Sequence, residues 1–218
     1  MKLKFFSLFV LLFGVSTGQA QIPVEVFGGD KKASFDLMFF KFFKNKKGQS
    51  NKILYFSRER AVIDYQQTTT SNLPQFGFTE AISYNHPALK GFAPVMVGQV
   101  LNRGTFAKTG VQYARISKTL TVFGWSVVEL FDKKTDVDLF LMLRYTPQLN
   151  EKWALFTQIE LINALPTDQA ANFNFTQRLR LGLKKSDWQF GLGGDFSAVG
   201  RSDFSNTSNM GIFLRHEF

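Results

Sequence analysis

Arginine recurs on the polar positions of alternating stretches of this chain, and arginine is the side chain best suited to hold an anion. Its guanidinium is always charged and carries a fork of donors that matches carboxylate and phosphate groups. Arg178 and Arg180 lie in the stretch "NFNFTQRLRLGLK", where they alternate with leucine. Their own alternating face carries no acid, so this pair is the strongest candidate for contact with an anionic solute.

Other charged residues share this alternation. Together they predict a charged interior for a closed sheet, formed by Arg58, Arg60, Arg144, Arg178, Arg180, Arg215, Asp138, Glu160 and Asp195. The same phase contains Arg103, Arg115, Asp64 and Glu217. Two interpretations are open. Arginines in a narrow pore would select anionic solutes, or they pair with the acids and fill the lumen, because buried charges need partners.

The chain begins with the features of an export signal. Lys2 and Lys4 precede an apolar run at 5–15 and a small-x-small motif, "GQA", which ends at Ala20. We predict a signal peptide over 1–20 and one mature domain over 21–218. The formal net charge is +9, but the basic residues are scattered over strands and turns. We therefore expect lipid head groups as neighbours, not nucleic acid.

Beyond residue 20, apolar and polar residues alternate with a period of two, which predicts β-strands. We predict twelve strands, at 22–27, 34–43, 52–65, 76–86, 92–102, 105–116, 118–130, 136–146, 152–164, 171–184, 187–198 and 209–218. Ten is the alternative if the first hairpin is not part of the wall. Glu59 falls on the apolar face of its strand, and a bulge there would restore the pattern.

A soluble β-sandwich alternates in the same way, so further features must separate it from a membrane barrel. Nothing after residue 20 is apolar for long enough to form a spanning helix, and only a closed barrel then satisfies the backbone in a bilayer. The chain has 26 phenylalanines, as an outward apolar band with aromatic girdles requires. Tyr145, Trp153, Trp188 and Phe218 lie at strand ends. We predict an all-β, antiparallel, up-and-down transmembrane barrel.

The last strand ends on an aromatic residue and is apolar at every second position. Its alternating face carries Met210, Ile212, Leu214, His216 and Phe218. This ending resembles the C-terminal signature of bacterial outer-membrane β-barrels, with His216 where that class more often has an aromatic. The resemblance implies recognition by the barrel-assembly machinery, a location in the outer membrane and contact with its lipids. We also expect this strand to pair with the first.

The start of the mature chain, "VEVFGGDKKASFDLMFFKFF", is similar to the start of small barrels related to nucleoside-specific (Tsx-like) channels, which include relatives in the Bacteroidetes. This resemblance implies a narrow twelve-stranded channel for small solutes. We therefore predict a porin-like channel for small anionic or nucleoside-like solutes. The alternative is a filled barrel with a structural or interaction role and no transport.

Groups suited to catalysis are few. The chain has no cysteine and only two histidines, His86 in the turn "NHP" and His216 in the last strand. Neither lies in a catalytic or metal-ligand spacing. We predict no enzymatic activity, no metal and no cofactor, and keep a lipid- or peptide-hydrolysing barrel as the less favoured alternative.

Overall fold

The computed structural model describes residues 22–44, 50–66, 74–102, 104–131 and 136–218. The predicted signal peptide and Arg103 lie outside these residues. No helix in the described ranges is long and apolar enough to cross a membrane.

Twelve strands follow one another along the chain. They are β1 (Pro23–Gly29), β2 (Lys32–Lys44), β3 (Ser50–Asp64), β4 (Gln75–Tyr84), β5 (Phe92–Leu101), β6 (Gly104–Ile116), β7 (Leu120–Glu129), β8 (Val137–Tyr145), β9 (Ala154–Leu165), β10 (Phe173–Lys185), β11 (Trp188–Gly200) and β12 (Phe204–Glu217). One 3-10 turn, Pro87–Leu89, connects β4 to β5. Each strand pairs with its neighbours in sequence, and β1 pairs with β12, so the sheet is a closed barrel. The twelve-strand prediction is confirmed and the ten-strand alternative is wrong, because the first hairpin is part of the wall.

The seam between β1 and β12 is antiparallel and runs from Pro23 opposite Glu217 to Gly29 opposite Gly211. Beyond it, the backbone N–H groups of Ile22 and Phe218 each donate to the other residue's carbonyl oxygen at 3.1 Å. A side chain at Gly211 would place its Cβ 1.9 Å from the carbonyl oxygen of Gly28, so the close approach of the strands here requires glycine. The prediction that the last strand pairs with the first is confirmed.

The period of two divides the barrel wall into an outward and an inward face. Outward residues of β12 and the following Phe218 are widely exposed: Met210 by 54%, Ile212 by 67% and Phe218 by 72%. Because the first described residue, Ile22, pairs with Phe218 at one end of the barrel, we call that opening the terminal mouth and the opposite opening the loop mouth.

Much of the interior is apolar. One buried cluster, which we call the apolar cluster, is formed by Met38, Leu54, Phe56, Ala81, Val95, Val97, Phe123, Val127, Phe140 and Met142. Its aromatic rings pack directly on one another, with the centroids of Phe56 and Phe123 5.1 Å apart. The composition argument attributed the phenylalanines to an outward band, which is wrong for these residues. Narrow barrels are often filled by interior side chains, and phenylalanine fills this part of the lumen.

Glu59 faces outward without any correction by a bulge. The described register of β3 is continuous at this point, with Glu59 opposite Leu37 on β2 and Phe78 on β4. The hydroxyl oxygen of Ser57 lies 2.6 Å from one Glu59 oxygen and 3.0 Å from one Glu80 oxygen. Tyr55 donates to the other oxygen of Glu80. The predicted bulge is therefore wrong, and two carboxyl groups share hydroxyl donors on the outward face instead.

Candidate functional site

The structure places all nine predicted interior residues on the inward face, but in different groups. Asp138 on β8 forms an ion pair with Lys108 on β6, on the wall that carries the apolar cluster. The other eight lie on β3 and on β8–β12, and their side chains meet in the lumen. Arg115 does not belong to the interior, because its neighbours Gln112 and Ala114 point inward and Arg115 is exposed on the other face.

Arg58 and Arg60 on β3 reach acids on three other strands. The Nε of Arg58 donates to Oδ1 of Asp36 at 3.0 Å, and its Nη2 contacts the second oxygen of the same carboxylate. That Nη2 also lies 3.0 Å from Glu160 on β9. Arg60 bridges Asp36 at 2.9 Å and Asp195 on β11 at 3.0 Å. Ion pairs from β3 therefore cross the lumen to β9 and β11.

Arg178 and Arg180 are also paired, although no acid shares their own strand face. Arg178 lies 3.4 Å from Glu160 and 3.9 Å from Asp195. Arg180 lies 2.9 Å from Glu25 on β1 and 2.8 Å from Asp195. Glu160 and Asp195 stand directly opposite Arg178 on the neighbouring strands. In an antiparallel sheet the closest neighbours are cross-strand residues, so an inspection of one strand misses them.

Sequence reasoning missed two of the four acids, Glu25 and Asp36. Each is only 7% exposed and faces inward. The signal was available in the alternation, because Glu25 lies between Val24 and Val26 and Asp36 between Phe35 and Leu37. With them, four carboxylates balance four guanidiniums. We call this group the charged layer: Arg58, Arg60, Arg178, Arg180, Glu25, Asp36, Glu160 and Asp195.

Two further arginines, Arg144 and Arg215, adjoin the charged layer, and among the described residues neither lies as close to an acid as the arginines of the layer do. The Nε of Arg144 and the Nη1 of Arg215 donate to the same oxygen of Gln158, at 2.7 and 3.2 Å. The amide of Gln158 in turn donates to Glu160 at 2.7 Å. Arg215 also lies 3.9 Å from Glu25, which is engaged by Arg180. Since one neutral oxygen serves two guanidiniums, Arg144 and Arg215 give the wall a surplus of positive charge.

The side chains of the charged layer leave little free space between them. The cavity that the layer, apart from Asp195, encloses with Pro23, Met38, Gln158 and Arg215 has a volume of about 10 Å³, about enough for one water molecule. The apolar cluster, which extends over β2–β5, β7 and β8, fills the space beside the charged layer. At this level the lumen is filled by protein in the structure.

The remaining candidates for chemistry lie near the terminal mouth. His86 accepts a hydrogen bond from the backbone N–H of Ala88 at 3.3 Å and so caps the 3-10 turn. His216 packs between the rings of Trp188 and Phe218, with centroids 4.4 Å away on each side. The described residues contain no group of three acids or histidines arranged to hold a metal ion. Lys184 and Glu217 form an ion pair at the same end of the barrel.

The comparisons with known proteins concern the fold. No protein-family model and no curated protein matches the chain. Among solved structures, a NanC porin superposes with a TM-score of 0.54 at 9% identity, over 90% of this chain and 98% of the porin. A KdgM porin gives a TM-score of 0.49 at 12% identity, over 91% and 99%. The chain is thus a closed, twelve-stranded, antiparallel barrel similar in fold to NanC, an outer-membrane barrel of the porin type.

Proposed function

We propose that the protein lies in a bacterial outer membrane and is a narrow channel that prefers small anionic solutes. The observation that carries the proposal is the positive surplus on one inner wall, where Arg144 and Arg215 adjoin the balanced charged layer and share only a neutral amide oxygen. Guanidinium groups along a narrow lumen attract anions and repel cations.

The outward face supports the membrane location. Outward aromatic side chains near the terminal mouth include Tyr84, Phe92, Tyr145, Trp188 and Phe218, all of them exposed. Others lie towards the loop mouth, among them Phe35, Phe76 and Phe204. Two aromatic girdles with aliphatic residues between them are the usual outer surface of a transmembrane barrel. Lipids are then the neighbours of this face, and the assembly machinery would read the terminal strand.

The interior supports a narrow passage along the side of the lumen that carries Arg144, Arg178, Arg180 and Arg215. The apolar cluster fills the space beside the charged layer, and its hydrocarbon side chains do not replace the hydration of an ion. A solute that enters must therefore exchange contacts with the guanidiniums of the charged layer, whose partners are distributed over four other strands. Because the layer is filled at rest, we expect a small conductance and strong dependence on the charge of the solute.

The proposal favours anionic solutes over nucleosides. An uncharged nucleoside gains less from surplus guanidiniums than a carboxylate or phosphate does. Transport of nucleosides, which the similarity to Tsx-like barrels implies, stays a prediction. A conductance assay with added nucleoside, which would block the current if the nucleoside enters the lumen, tests it.

Planar bilayers with a salt gradient test the channel. We expect a small anion-selective conductance, with a reversal potential that shifts towards zero in the double variant Arg144→Gln plus Arg215→Gln, because the surplus charge is removed while the charged layer stays balanced. Arg115→Gln is the matched control, since it removes a cation from the outward face only. A cation-selective current in the unmodified protein would contradict the anionic preference.

A filled barrel without transport is the second candidate, and the small cavity within the charged layer favours it. The same bilayer experiment separates the two. A protein that inserts, migrates as a heat-modifiable barrel and yet carries no current would support the filled barrel and overturn the channel.

The outward carboxyl groups lead to a prediction about the stability of the barrel in the membrane. One oxygen of Glu59 is buried and has no hydrogen-bond partner among the described residues. We expect Glu59→Leu to raise the free energy of unfolding in lipid vesicles by about 1 kcal/mol, since a carboxyl on the lipid face is unfavourable. Denaturant unfolding measures the change.

Glu80→Leu is the matched comparison for that experiment. It deprives both Tyr55 and Ser57 of an acceptor. We therefore expect Glu80→Leu to raise the free energy of unfolding less than Glu59→Leu does, or to lower it. A loss of stability in Glu59→Leu would argue against lipid contact at this face.

A further inference from the structure

We infer that two copies of this barrel associate in the membrane through the outward face of β4, β5 and β6, around Gly98. The inference goes beyond the channel function, because it concerns a surface outside the lumen and holds whether or not the barrel conducts. It rests on the proposed membrane location alone.

The apolar band of the outward face is interrupted on one side of the barrel. In the middle part of strands β3–β7, an outward residue is polar or small, and we call this group the polar arc: Glu59, Glu80, Gly98, Thr109 and Ser126. The other strands present a large aliphatic side chain in the corresponding part: Leu141, Ile159, Leu179, Leu192, Ile212, Val26 and Leu37. The two sides of the barrel thus differ at the same height.

The polar arc lies near the middle of the bilayer. Counted from the aromatic residues near the terminal mouth, Glu80 lies four residues from Tyr84, and Gly98 lies six residues from Phe92. A transmembrane strand has about 9–11 residues. Both positions are therefore close to the midplane, where lipid contact is most costly for a charged group.

Glu80 is short of hydrogen-bond donors at this depth. One of its oxygens accepts from Tyr55, and the other lies 3.0 Å from the hydroxyl of Ser57. That hydroxyl also lies 2.6 Å from Glu59, and its single hydrogen can serve only one carboxyl group at a time. Ionisable side chains at membrane depth usually face protein or a water-filled cavity. We therefore expect a second protein surface to supply a donor to Glu80.

Gly98 allows such a surface to come close. It stands directly opposite Glu80, and a Cβ at this position would meet nothing within 4 Å. The next outward residues of β5, Met96 and Val100, are exposed by 64% and 44%, so Gly98 is a notch between two large side chains. Small residues at contacts within membranes let two backbones approach closely, and we expect the approach to occur here.

The polar arc is complementary to itself, and this identifies the partner as a second copy of the chain. Strands β4 and β6 lie on either side of β5. A two-fold axis parallel to the membrane normal, beside Gly98, therefore places β4 of each copy opposite β6 of the other. Glu80 of one copy then faces Thr109 of the second, and the same contact forms twice, as closed two-fold symmetry requires.

Thr109 is suited to donate to Glu80. Its hydroxyl donates to the backbone carbonyl of Val95 at 3.2 Å. A carboxylate is a stronger acceptor than a carbonyl, so the hydroxyl gains when it turns to Glu80 of the second copy. Glu80 then receives the donor that Ser57 divides between two acids.

The curvature of the two walls limits the contact to the centre of the arc. Two convex barrels that touch at β5 diverge beyond β4 and β6, so Glu59 on β3 and Ser126 on β7 stay at the boundary with lipid. The expected effect of Glu59→Leu is therefore unchanged. Met96 and Val100 contact the second copy in place of lipid.

Energy transfer between barrels in lipid vesicles tests the association. The chain has no cysteine, so Ser202→Cys, in the exposed turn between β11 and β12, provides one site for a donor or an acceptor dye. We expect transfer that falls as lipid is added and depends linearly on the acceptor fraction, as for a dimer. Each barrel is first shown to be inserted and folded by its heat-modifiable migration.

Two pairs of variants test the contact itself. Gly98→Leu fills the notch and should abolish the transfer. Gly28→Leu is its control and should not change it, because Gly28 is an exposed glycine of β1 where a Cβ also meets nothing within 4 Å. Thr109→Val removes the hydroxyl and should weaken the association several-fold. Thr105→Val, nearer the loop mouth on the same strand, should leave it unaltered.

Cross-linking locates the axis. A disulfide cannot join two cysteines whose Cα atoms are more than about 7 Å apart, so Gly98→Cys can form one only if the axis passes beside this residue. We expect covalent dimers of Gly98→Cys on oxidation in vesicles, and none of Gly28→Cys.

The outcomes are distinct. Absence of transfer in the folded, unmodified barrel, or equal transfer in Gly98→Leu, would overturn the interface. A nonlinear dependence on the acceptor fraction would overturn the two-fold dimer, and unaltered association in Thr109→Val would overturn its pairing with Glu80. None of these measurements requires a current, so a failure of the channel proposal would not be confused with a failure of this one. A barrel that does not insert would contradict the membrane location on which both rest.

Discussion

Replacement of Glu160 by alanine is expected to destabilise the barrel by about 3–5 kcal/mol, as is usual when one partner of a buried ion pair is removed. Glu160 is 2% exposed and lies 3.0 Å from Arg58 and 3.4 Å from Arg178. It also accepts a hydrogen bond from Gln158 at 2.7 Å. Its removal would leave two guanidiniums short of an acceptor in the centre of the lumen.

The midpoint of unfolding in urea, measured on the protein in lipid vesicles, reports this change. Glu151→Ala is the matched control, because Glu151 is exposed in the turn between β8 and β9 and its loss removes the same charge. An unchanged midpoint in Glu160→Ala would mean that water reaches the charged layer freely and that the ion pairs contribute little.

Deletion of Phe218 is expected to reduce the amount of assembled barrel in the outer membrane several-fold. The residue closes the seam with Ile22 through two backbone hydrogen bonds of 3.1 Å, and its ring packs on His216. The exposed ring also belongs to the apolar terminal face on which the predicted assembly signal depends. Membrane fractionation followed by a heat-modifiability gel measures the yield.

Further substitutions separate the roles of this residue. Phe218→Ala keeps the backbone hydrogen bonds and removes the ring, so we expect it to resemble the deletion if the ring is the signal. Phe218→Tyr keeps an aromatic group and should assemble normally. Arg215→Ala alters only the interior and should also assemble. Normal insertion of the deletion variant would contradict the role of Phe218 as a signal.

The sequence was sufficient for the wall of the barrel. Period-two alternation depends on the backbone geometry of each strand alone, so it located all twelve strands and placed residues such as Arg178 and Glu160 on the inward face. It also predicted closure between the last strand and the first. Where it predicted a bulge at Glu59, it applied the right rule for lipid contact, but the fold accepts two outward carboxyl groups that share hydroxyl donors.

Only the tertiary structure decided what fills the lumen. Alternation gives the face of a residue but not which strand lies across the barrel, so it could not pair Arg60 with Asp195 or Arg180 with Glu25. These partners are far apart along the chain and meet because the sheet closes. For the same reason the sequence could not show that Phe56 and Phe123 stack inside the barrel. The strands of the wall follow from local backbone geometry, whereas the side-chain contacts inside the barrel form only when the sheet closes.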